Sequence, residues 1–363
     1  MKNINTLCVH GTEDKNNSTG SITVPVYQSA TFAHPSVGQS TGYDYSRLQN
    51  PTREALEDWV AKLENGHDAM AFSSGMAAMA VLCELFAPND HIIASNDLYG
   101  GSVRLLDHVV KKNGIAVDYV DTGNIEALET IIRPETKAVF VETPTNPMMQ
   151  ITDIKAVSAL CKEHDVLLIV DNTFLTPIYQ RPIELGADLV LHSGTKYIGG
   201  HNDTLAGFLV AANNELSEKL RFLYKTIGAC LAPWDCFLIM RGIKTLAIRM
   251  ERITENAGKI AEWLKMQVKV KDVLYCGQSG MISIRVDSAE TVYRILGNVK
   301  VIKFSESLGG VESLITYPFL QTHADVPEEK RLALGIDDCL LRLSVGIEFA
   351  DDLISDLAAA IKD

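Results

Sequence analysis

Seven short apolar runs alternate with helical patterns between Asp68 and Ala212, and this alternation limits the possible folds more than any other feature of the sequence. The runs span residues 69–72, 91–94, 115–120, 138–141, 166–170, 189–191 and 208–211. Unbroken apolar runs are typical of strands buried on both faces, and strands that alternate with helices are typical of α/β folds with a mainly parallel sheet. The sequence therefore predicts an α/β fold with ligands at the carboxyl ends of the strands.

The regions on either side of this alternation have different patterns. Residues 1–50 are polar and rich in Gly, Pro and Asn, which predicts an extended arm that contacts a neighbouring subunit. Asn50 and Pro51 are typical of a helix start. After residue 234 a long helix is expected from about Asp235 to Lys265, followed by short strands. We predict an arm (1–50), a main domain (51–234) and a smaller C-terminal α/β domain (235–363).

Charge and cysteine usage narrow the class of protein. The 363-residue chain has a net charge of −13, which opposes binding to nucleic acid and to anionic membranes. Its seven cysteines are scattered without a C-x-x-C pair, and the first residues have no apolar core of the kind a signal peptide needs. We expect a soluble cytoplasmic protein. His192 and His201 lack the spacing of a metal site, so no metal is expected.

A lysine follows the sixth apolar run within a stretch of small hydroxyl and glycine residues. Ser193 and Thr195 offer hydroxyl and backbone N–H groups to an anion beside Lys196, and the order G-x-x-x-x-G-K-[ST] of a nucleotide P-loop is absent. Asp171 closes the preceding run, where a buried carboxylate needs a cationic partner such as a protonated pyridine nitrogen. A surface lysine and a capping aspartate are the ordinary alternatives. Together the two features favour pyridoxal phosphate.

Other residues give weaker signals. Gly75 and Met76 follow a predicted strand at the start of an Ala-rich helix, where free N–H groups suit a phosphate. Tyr99 could place its ring against a flat cofactor, and Arg342 interrupts an alternating strand, where it could bind a carboxylate. Each has an ordinary alternative, namely an unremarkable strand-to-helix turn, a turn tyrosine and an exposed edge arginine.

Eight motifs occur in order along the chain. They are Tyr45-Ser-Arg47 with Asn50-Pro-Thr-Arg53, Ser74-Gly-Met76, Tyr99-Gly-Gly101, Glu142-Thr-Pro-Thr-Asn-Pro147, Val170-Asp-Asn-Thr-Phe174, His192-Ser-Gly-Thr-Lys-Tyr197, Ser305-Glu-Ser-Leu-Gly-Gly-Val-Glu-Ser313 and Leu341-Arg-Leu-Ser-Val-Gly-Ile-Glu348. Through them the chain resembles, over essentially its whole length, the cystathionine γ-synthase and γ-lyase family of pyridoxal-phosphate enzymes. The resemblance implies fold type I, as in aspartate aminotransferase, with pyridoxal phosphate bound by the main domain.

The resemblance also implies roles for individual residues. Lys196 would form the Schiff base, Asp171 would pair with the pyridine nitrogen, and Tyr99 would stack on the ring and act as acid or base. The implied phosphate ligands are Gly75, Met76, Ser193, Thr195 and, from a neighbouring subunit, Tyr45 and Arg47. The implied substrate ligands are Arg342, Asn146 and Ser307 for the α-carboxylate, and Glu306 and Asp44 for an amino group. The resemblance thus implies a homodimer with shared active sites, assembled into a homotetramer.

The same resemblance indicates a reaction. The chain looks most similar to the short bacterial cystathionine γ-synthases that are also O-acetylhomoserine thiolyases, which share its compressed connection over residues 273–281. It implies γ-replacement on O-acylhomoserine by cysteine, or by sulfide, in methionine biosynthesis. Cystathionine γ-lyase and β-lyase activities stay open as alternatives. Methionine γ-lyase is more remote because Gly101 stands where a cysteine is typical, and a non-catalytic binding protein is the most remote. Gln49 departs from the glycine common at its position.

Overall fold

A computed structural model describes residues 3–12, 19–324 and 326–362 of the chain. The predicted apolar runs form a seven-stranded sheet among these residues, in the order β1-β7-β6-β5-β4-β2-β3. The strands are β1 (Asp68–Phe72), β2 (His91–Ser95), β3 (Ala116–Val120), β4 (Thr136–Glu142), β5 (Leu167–Asp171), β6 (Leu189–Ser193) and β7 (Gly207–Ala211). β7 is antiparallel to β1 and β6, whereas β6, β5, β4, β2 and β3 run parallel. The α/β fold with a mainly parallel sheet is confirmed.

Helices cover both faces of this sheet and continue into the C-terminal part of the chain. They are α1 (Ile4–His10), α2 (Pro51–Glu64), α3 (Gly75–Cys83), α4 (Gly100–Leu105), α5 (Ile125–Ile131), α6 (Ile154–Glu163), α7 (Thr176–Tyr179), α8 (Asn214–Ile227), α9 (Pro233–Ile243), α10 (Leu246–Lys265), α11 (Ala289–Asn298), α12 (Glu328–Ala333) and α13 (Ala350–Ile361). In the described part of the chain no helix is both long and apolar enough to span a membrane. The side chain of Asn50 accepts hydrogen bonds from the amides of Thr52 and Arg53, so α2 begins where the sequence predicts.

A second sheet lies in the C-terminal part of the chain, in the order β10-β11-β12-β9-β8. Its strands are β8 (Val270–Leu274), β9 (Met281–Val286), β10 (Lys303–Phe304), β11 (Leu314–Thr316) and β12 (Leu340–Ser344). Strand β12 is central, between β11 and β9, so its neighbours cover both edges. Arg342 is only 2% exposed there, which excludes the edge-arginine alternative. Leu341 and Leu343 face the apolar core of this sheet, so Arg342 faces the opposite side.

The expected long helix from about 235 to 265 is in fact two helices, α9 and α10. The break lies at Lys244 and Thr245, next to a tightly packed Gly242, where a Cβ would lie 2.3 Å from the carbonyl oxygen of Gly199. The Gly242 carbonyl accepts hydrogen bonds from the Thr245 amide at 3.1 Å and from the Arg249 guanidinium at 2.9 Å. Local periodicity could not show this contact, because Gly199 lies far away in the sequence.

The prediction of an extended arm was wrong for the first residues. Ile4–His10 form helix α1, and the indole nitrogen of Trp59 donates a hydrogen bond of 2.6 Å to the carbonyl oxygen of Leu7. Cys8 is 1% exposed within the core of the main sheet. The segment 20–50 contains isolated bridges such as Thr31 with Tyr45, but no helix or strand of its own. The boundaries at 50 and 234 stay a prediction.

Candidate active site

A cavity of about 330 Å³ opens at the carboxyl ends of β4, β5 and β6 and is closed from the other side by the second sheet. The main domain contributes Gly75, Met76, Tyr99, Glu142, Asn146, Asp171, Ser193, Thr195 and Lys196 to its wall, and the C-terminal part contributes Glu306, Ser307, Thr322 and Arg342. Most of the sequence-predicted site residues therefore meet in one pocket. Parallel strands bring this about, because their carboxyl ends share one edge of the sheet.

Lys196 lies in the turn after β6, with its amine directed into the pocket. Its Nζ donates a hydrogen bond of 2.9 Å to Oγ of Ser307, which belongs to the opposite wall. Burial lowers the pKa of the amine to about 8; the Arg342 guanidinium acts in the same direction and Glu306 opposes it. A lysine with such a pKa is neutral in a substantial fraction near neutral pH, so it can act as a nucleophile or a base.

Two carboxyl groups lie side by side at the end of β4 and β5. Asp171 and Glu142 are register partners on these strands, and Asp171 accepts a hydrogen bond of 2.9 Å from the Thr173 amide. Burial raises the pKa of Asp171 against the hydrogen bonds of Thr173, and burial together with Asp171 raises the pKa of Glu142 well above its usual range. A buried acid in this position is stabilised by a cation, and a protonated pyridine nitrogen fits that requirement.

An anion site lies beside the lysine. Ser74 caps α3 by accepting a hydrogen bond of 3.0 Å from Ala77, which leaves the amides of Gly75 and Met76 at the open end of the helix. A Cβ at Gly75 would lie 3.1 Å from Cβ of Ser193, so the glycine lets the helix end approach the end of β6 closely. With Thr195 on the same wall, these groups suit a phosphate.

Arg342 forms the carboxylate-binding side of the pocket. Its guanidinium donates to Oδ1 of Asn146 at 2.8 Å and to the carbonyl oxygen of Ser307 at 3.0 Å, while its buried Nε has no partner among the described residues. Burial lowers the pKa of Arg342 to about 10, so the group remains charged at neutral pH. A fixed guanidinium with an unused donor fits a substrate carboxylate.

Glu306 lies at the mouth of the pocket, on the boundary with a larger cavity of about 960 Å³. Asp44, Tyr45 and Arg47 line neither cavity. In its own chain Arg47 donates a hydrogen bond to the carbonyl oxygen of Lys225, and Asp44 accepts one of 2.6 Å from Ser40. These three residues therefore do not belong to the pocket that their own chain forms.

Some pocket residues escaped the sequence reasoning. Glu142 could have been found, because it ends an apolar run as Asp171 does. Thr322 and the adjacent His323 carried no signal, since they lie in an irregular segment of the C-terminal part. The paired His192 and Glu64, both fully buried and 2.5 Å apart, lie beneath this edge of the sheet and join strand β6 to helix α2.

Fold and pocket together define a pyridoxal-phosphate enzyme of fold type I, and solved structures of that class match the chain with TM-scores of 0.96 and 0.97. The first is a cystathionine γ-lyase from Lactobacillus plantarum complexed with L-serine, 42% identical, covering 99% of this chain and 98% of that one. The second is a cystathionine γ-synthase from Xanthomonas oryzae pv. oryzae in complex with aminoacrylate and cysteine, 37% identical, with the same coverage.

The family follows from the sequence match. The model of the Cys/Met metabolism PLP-dependent enzymes matches residues 5–362, so the chain belongs to this family and its cofactor is pyridoxal phosphate. The acid, lysine and anion site described above fit that cofactor.

Curated relatives carry more than one activity. A cystathionine gamma-synthase of Haemophilus influenzae is 49% identical, covering 98% of this chain and 97% of the relative. A cystathionine gamma-synthase/O-acetylhomoserine (thiol)-lyase of Bacillus subtilis is 52% identical, covering 94% and 92%. A cystathionine gamma-lyase of the same organism is 48% identical, covering 99% of each chain. Synthase and lyase names thus occur at similar identity, so sequence identity alone does not distinguish a synthase from a lyase.

Proposed function

We propose that this enzyme catalyses γ-replacement on an O-acylhomoserine by cysteine to give cystathionine and the free carboxylic acid, in methionine biosynthesis in the cytoplasm. Sulfide is the second nucleophile of the proposal. The observation that carries it is the position of Glu306, between the Lys196 pocket and the larger cavity. A carboxylate there can bind the ammonium group of a second amino acid that enters after the acyl group leaves.

Several pocket residues have a part in the proposed reaction. Bound pyridoxal phosphate supplies an electron sink for the carbons next to the substrate nitrogen. Asp171 keeps the pyridine nitrogen protonated, and Gly75, Met76, Ser193 and Thr195 hold the phosphate. The Lys196 amine removes the proton from Cα, and its pKa of about 8 makes this base available near neutral pH.

The substrate is oriented by the wall opposite the cofactor residues. Arg342 binds its α-carboxylate, with Asn146 and Ser307 fixing the guanidinium. Tyr99, on the wall of the same pocket, would serve as a second acid or base for the proton at Cβ when the acyl group departs from Cγ. The thiol of cysteine would replace the acyl group at Cγ, with its amino group held by Glu306. Lys196 and Tyr99 would return the protons to Cα and Cβ, and the thiol proton would leave with the carboxylic acid.

Two chains complete each site in this proposal. Tyr45 and Arg47 reach the phosphate of the partner subunit, Asp44 lies near its substrate, and the dimers pair into a homotetramer. The larger cavity beside Thr195 and Glu306 offers the space that such a segment needs. The segment 20–50 also exposes large apolar side chains, such as Ile22 at 95% and Val37 at 104%, which supports a partner surface nearby.

Removal of Glu306 should separate the two nucleophiles. Glu306→Ala should lower kcat/KM for cysteine by about tenfold to a hundredfold, which corresponds to the free energy of one hydrogen bond to a charged group. It should change kcat/KM for sulfide little, because sulfide has no amino group. The measurement is steady-state turnover of O-acetylhomoserine with each nucleophile. Glu312→Ala is the matched control, because Glu312 lines the larger cavity but not the Lys196 pocket and accepts a hydrogen bond from Asn202 at 2.7 Å. Equal losses with cysteine and sulfide would count against the role of Glu306.

A cystathionine γ- or β-lyase is the second candidate, favoured by the lyase names among relatives of similar identity. Incubation with cystathionine alone distinguishes it, because a lyase releases cysteine or homocysteine without a second substrate. The companion assay offers O-acetyl- and O-succinylhomoserine, each with cysteine or sulfide, and identifies the products. Rapid cleavage of cystathionine with slow replacement would reject the synthase proposal.

The pKa of Lys196 predicts a pH dependence for cofactor capture. Apoenzyme should bind pyridoxal phosphate covalently at a rate that rises with pH and levels off above a midpoint near 8, because the amine is neutral only above its pKa of about 8. Borohydride reduction of samples quenched over time measures the fraction captured at each pH. The same measurement with N-acetyl-lysine in place of the enzyme shows how much of the pH dependence comes from titration of the cofactor itself. A midpoint near that of free lysine, about 10.4, would contradict the desolvated site.

A further inference from the structure

The turn that carries Tyr99 is held from two sides. On the side of the main sheet, Glu142 accepts a hydrogen bond of 3.0 Å from the Tyr99 amide. On the other side, Nε2 of His323 lies 3.3 Å from the carbonyl oxygen of Leu98, the residue before Tyr99. Gly100, the residue after it, packs so closely on the carbonyl of Thr322 that a Cβ would lie 2.2 Å from its oxygen. Leu98, Tyr99 and Gly100, three consecutive residues of the turn, are thus each held by a contact with another segment.

The contacts of His323 and its burial together define its protonation. A carbonyl oxygen only accepts, so Nε2 carries the hydrogen, and Nδ1 at 2.9 Å from Oγ1 of Thr322 is the acceptor. The side chain is 2% exposed. Burial, with Arg342 as the next contribution, lowers the pKa of His323 to about 4, although the backbones of Leu98 and Asn146 favour the charged ring. The imidazole is therefore a neutral, buried donor at neutral pH.

The segment that carries His323 is an irregular stretch that follows strand β11 of the second sheet. It leaves β11 at Thr316, whose hydroxyl accepts a hydrogen bond of 3.2 Å from Arg342. The amide of His323 donates to the carbonyl of Pro318 at 3.1 Å, and the hydroxyl of Tyr317 donates to Asp338 at 2.9 Å. Thr316 therefore contacts Arg342 directly, Tyr317 joins the segment to the residues just before β12, and the bond between His323 and Pro318 closes a turn within the segment.

We propose that His323 is a positioning residue that locks the turn carrying Tyr99 to the sheet carrying Arg342, through the hydrogen bond from its Nε2 to the carbonyl of Leu98. Tyr99 and Arg342 lie on elements from different sheets, and both line the pocket. The bond fixes the distance between the ring and the guanidinium. His323 itself touches neither the cofactor nor the substrate in this role. The inference rests on the proposed function only in treating Tyr99 and Arg342 as parts of the active site.

The first test replaces the histidine in the holoenzyme. His323→Leu should lower kcat by between about tenfold and a hundredfold, the cost of a small misplacement in an active site, and should change the visible circular dichroism of the bound cofactor. His323→Gln should restore most of both, because its amide nitrogen can donate in place of Nε2. His91→Leu is the matched control: His91 is also fully buried, lies on β2 and bonds Thr136 at 2.8 Å, away from the pocket.

The second test breaks the same contact from the opposite side. Gly100→Ala forces Thr322 away from the turn and should reproduce the losses of kcat and of circular dichroism signal, whereas Gly297→Ala, where a Cβ meets nothing within 4 Å, should not. If both variants break one lock, the His323→Leu/Gly100→Ala enzyme should be hardly slower than either single variant. If His323→Leu does not fold, the test uses single variants: Gly100→Ala should lose kcat and circular dichroism signal, whereas His323→Gln and Gly297→Ala should stay near wild type. Wild-type behaviour of Gly100→Ala would then contradict the proposal.

The proposal is overturned if the two changes multiply as independent effects, or if His323→Leu loses activity with an unchanged cofactor spectrum. The spectrum is recorded without substrate, so it reports on the lock whether the enzyme proves to be a synthase or a lyase. Turnover is measured with the substrate that the wild-type enzyme uses best. A failure of the γ-replacement proposal therefore leaves this test intact, and the reverse also holds.

Discussion

Lys196→Ala should reduce turnover by about 10⁴-fold, the upper end of what a general acid–base group contributes, because no other amine lies in the pocket formed by the described residues. The protein should still fold and bind pyridoxal phosphate noncovalently, since the residues proposed to hold the phosphate and the pyridine nitrogen are unchanged in this variant. The thermal midpoint of the cofactor-free protein should be unchanged or higher, because burial of the Lys196 amine disfavours its charged form. Steady-state kinetics, equilibrium dialysis of the cofactor and thermal unfolding measure the three properties.

Lys259→Ala is the control for this variant. Lys259 is half exposed on α10 and pairs with Glu255 at 2.7 Å on the surface, so its loss should leave turnover unchanged. Borohydride should fix the cofactor to wild-type and Lys259→Ala enzyme but not to Lys196→Ala. Retained turnover in Lys196→Ala, or fixation of the cofactor to another lysine, would reject the proposed role.

Mixed dimers should recover activity from two inactive chains. A Lys196→Ala chain and an Arg47→Ala chain are each expected to be nearly inactive alone, because the first lacks the base and the second lacks a charged phosphate ligand. In a hybrid dimer one site inherits both defects, whereas the other combines intact Lys196 with intact Arg47. Random pairing makes half of the dimers hybrid with one working site in two, so about a quarter of the wild-type activity should return.

A pair of variants in two residues that one chain contributes to the same pocket provides a matched control for the mixing experiment. Lys196 and Arg342 line the same cavity within one chain, so co-expression of Lys196→Ala with Arg342→Ala should restore nothing. Differential affinity tags on the two chains establish that hybrids form. If tagged hybrids of the first pair remain inactive, or if the second pair recovers equally, Arg47 does not act in the partner's site.

Local physical chemistry allowed much of the fold to be predicted from the sequence. Strand β5 ends at Asp171 and β6 at Ser193, as the apolar runs indicate, because burial on both faces demands an unbroken apolar strand. The start of α2 was equally local, since Asn50 satisfies two free amides of its first turn. The shared edge of a parallel sheet then places Lys196 and Asp171 in one pocket, and the motifs around them identify the family and its cofactor.

The tertiary structure decided what depends on contacts between distant segments. The burial of Arg342 follows from the strands on either side of β12, and the break between α9 and α10 lies next to the close contact of Gly199 with Gly242. The helix at Ile4–His10 is stabilised by Trp59, and the neutral state of His323 by burial beside Arg342. None of these features has a local signature in the sequence. Burial, desolvation and close packing depend on residues that are neighbours in space, and only the tertiary structure shows which residues these are.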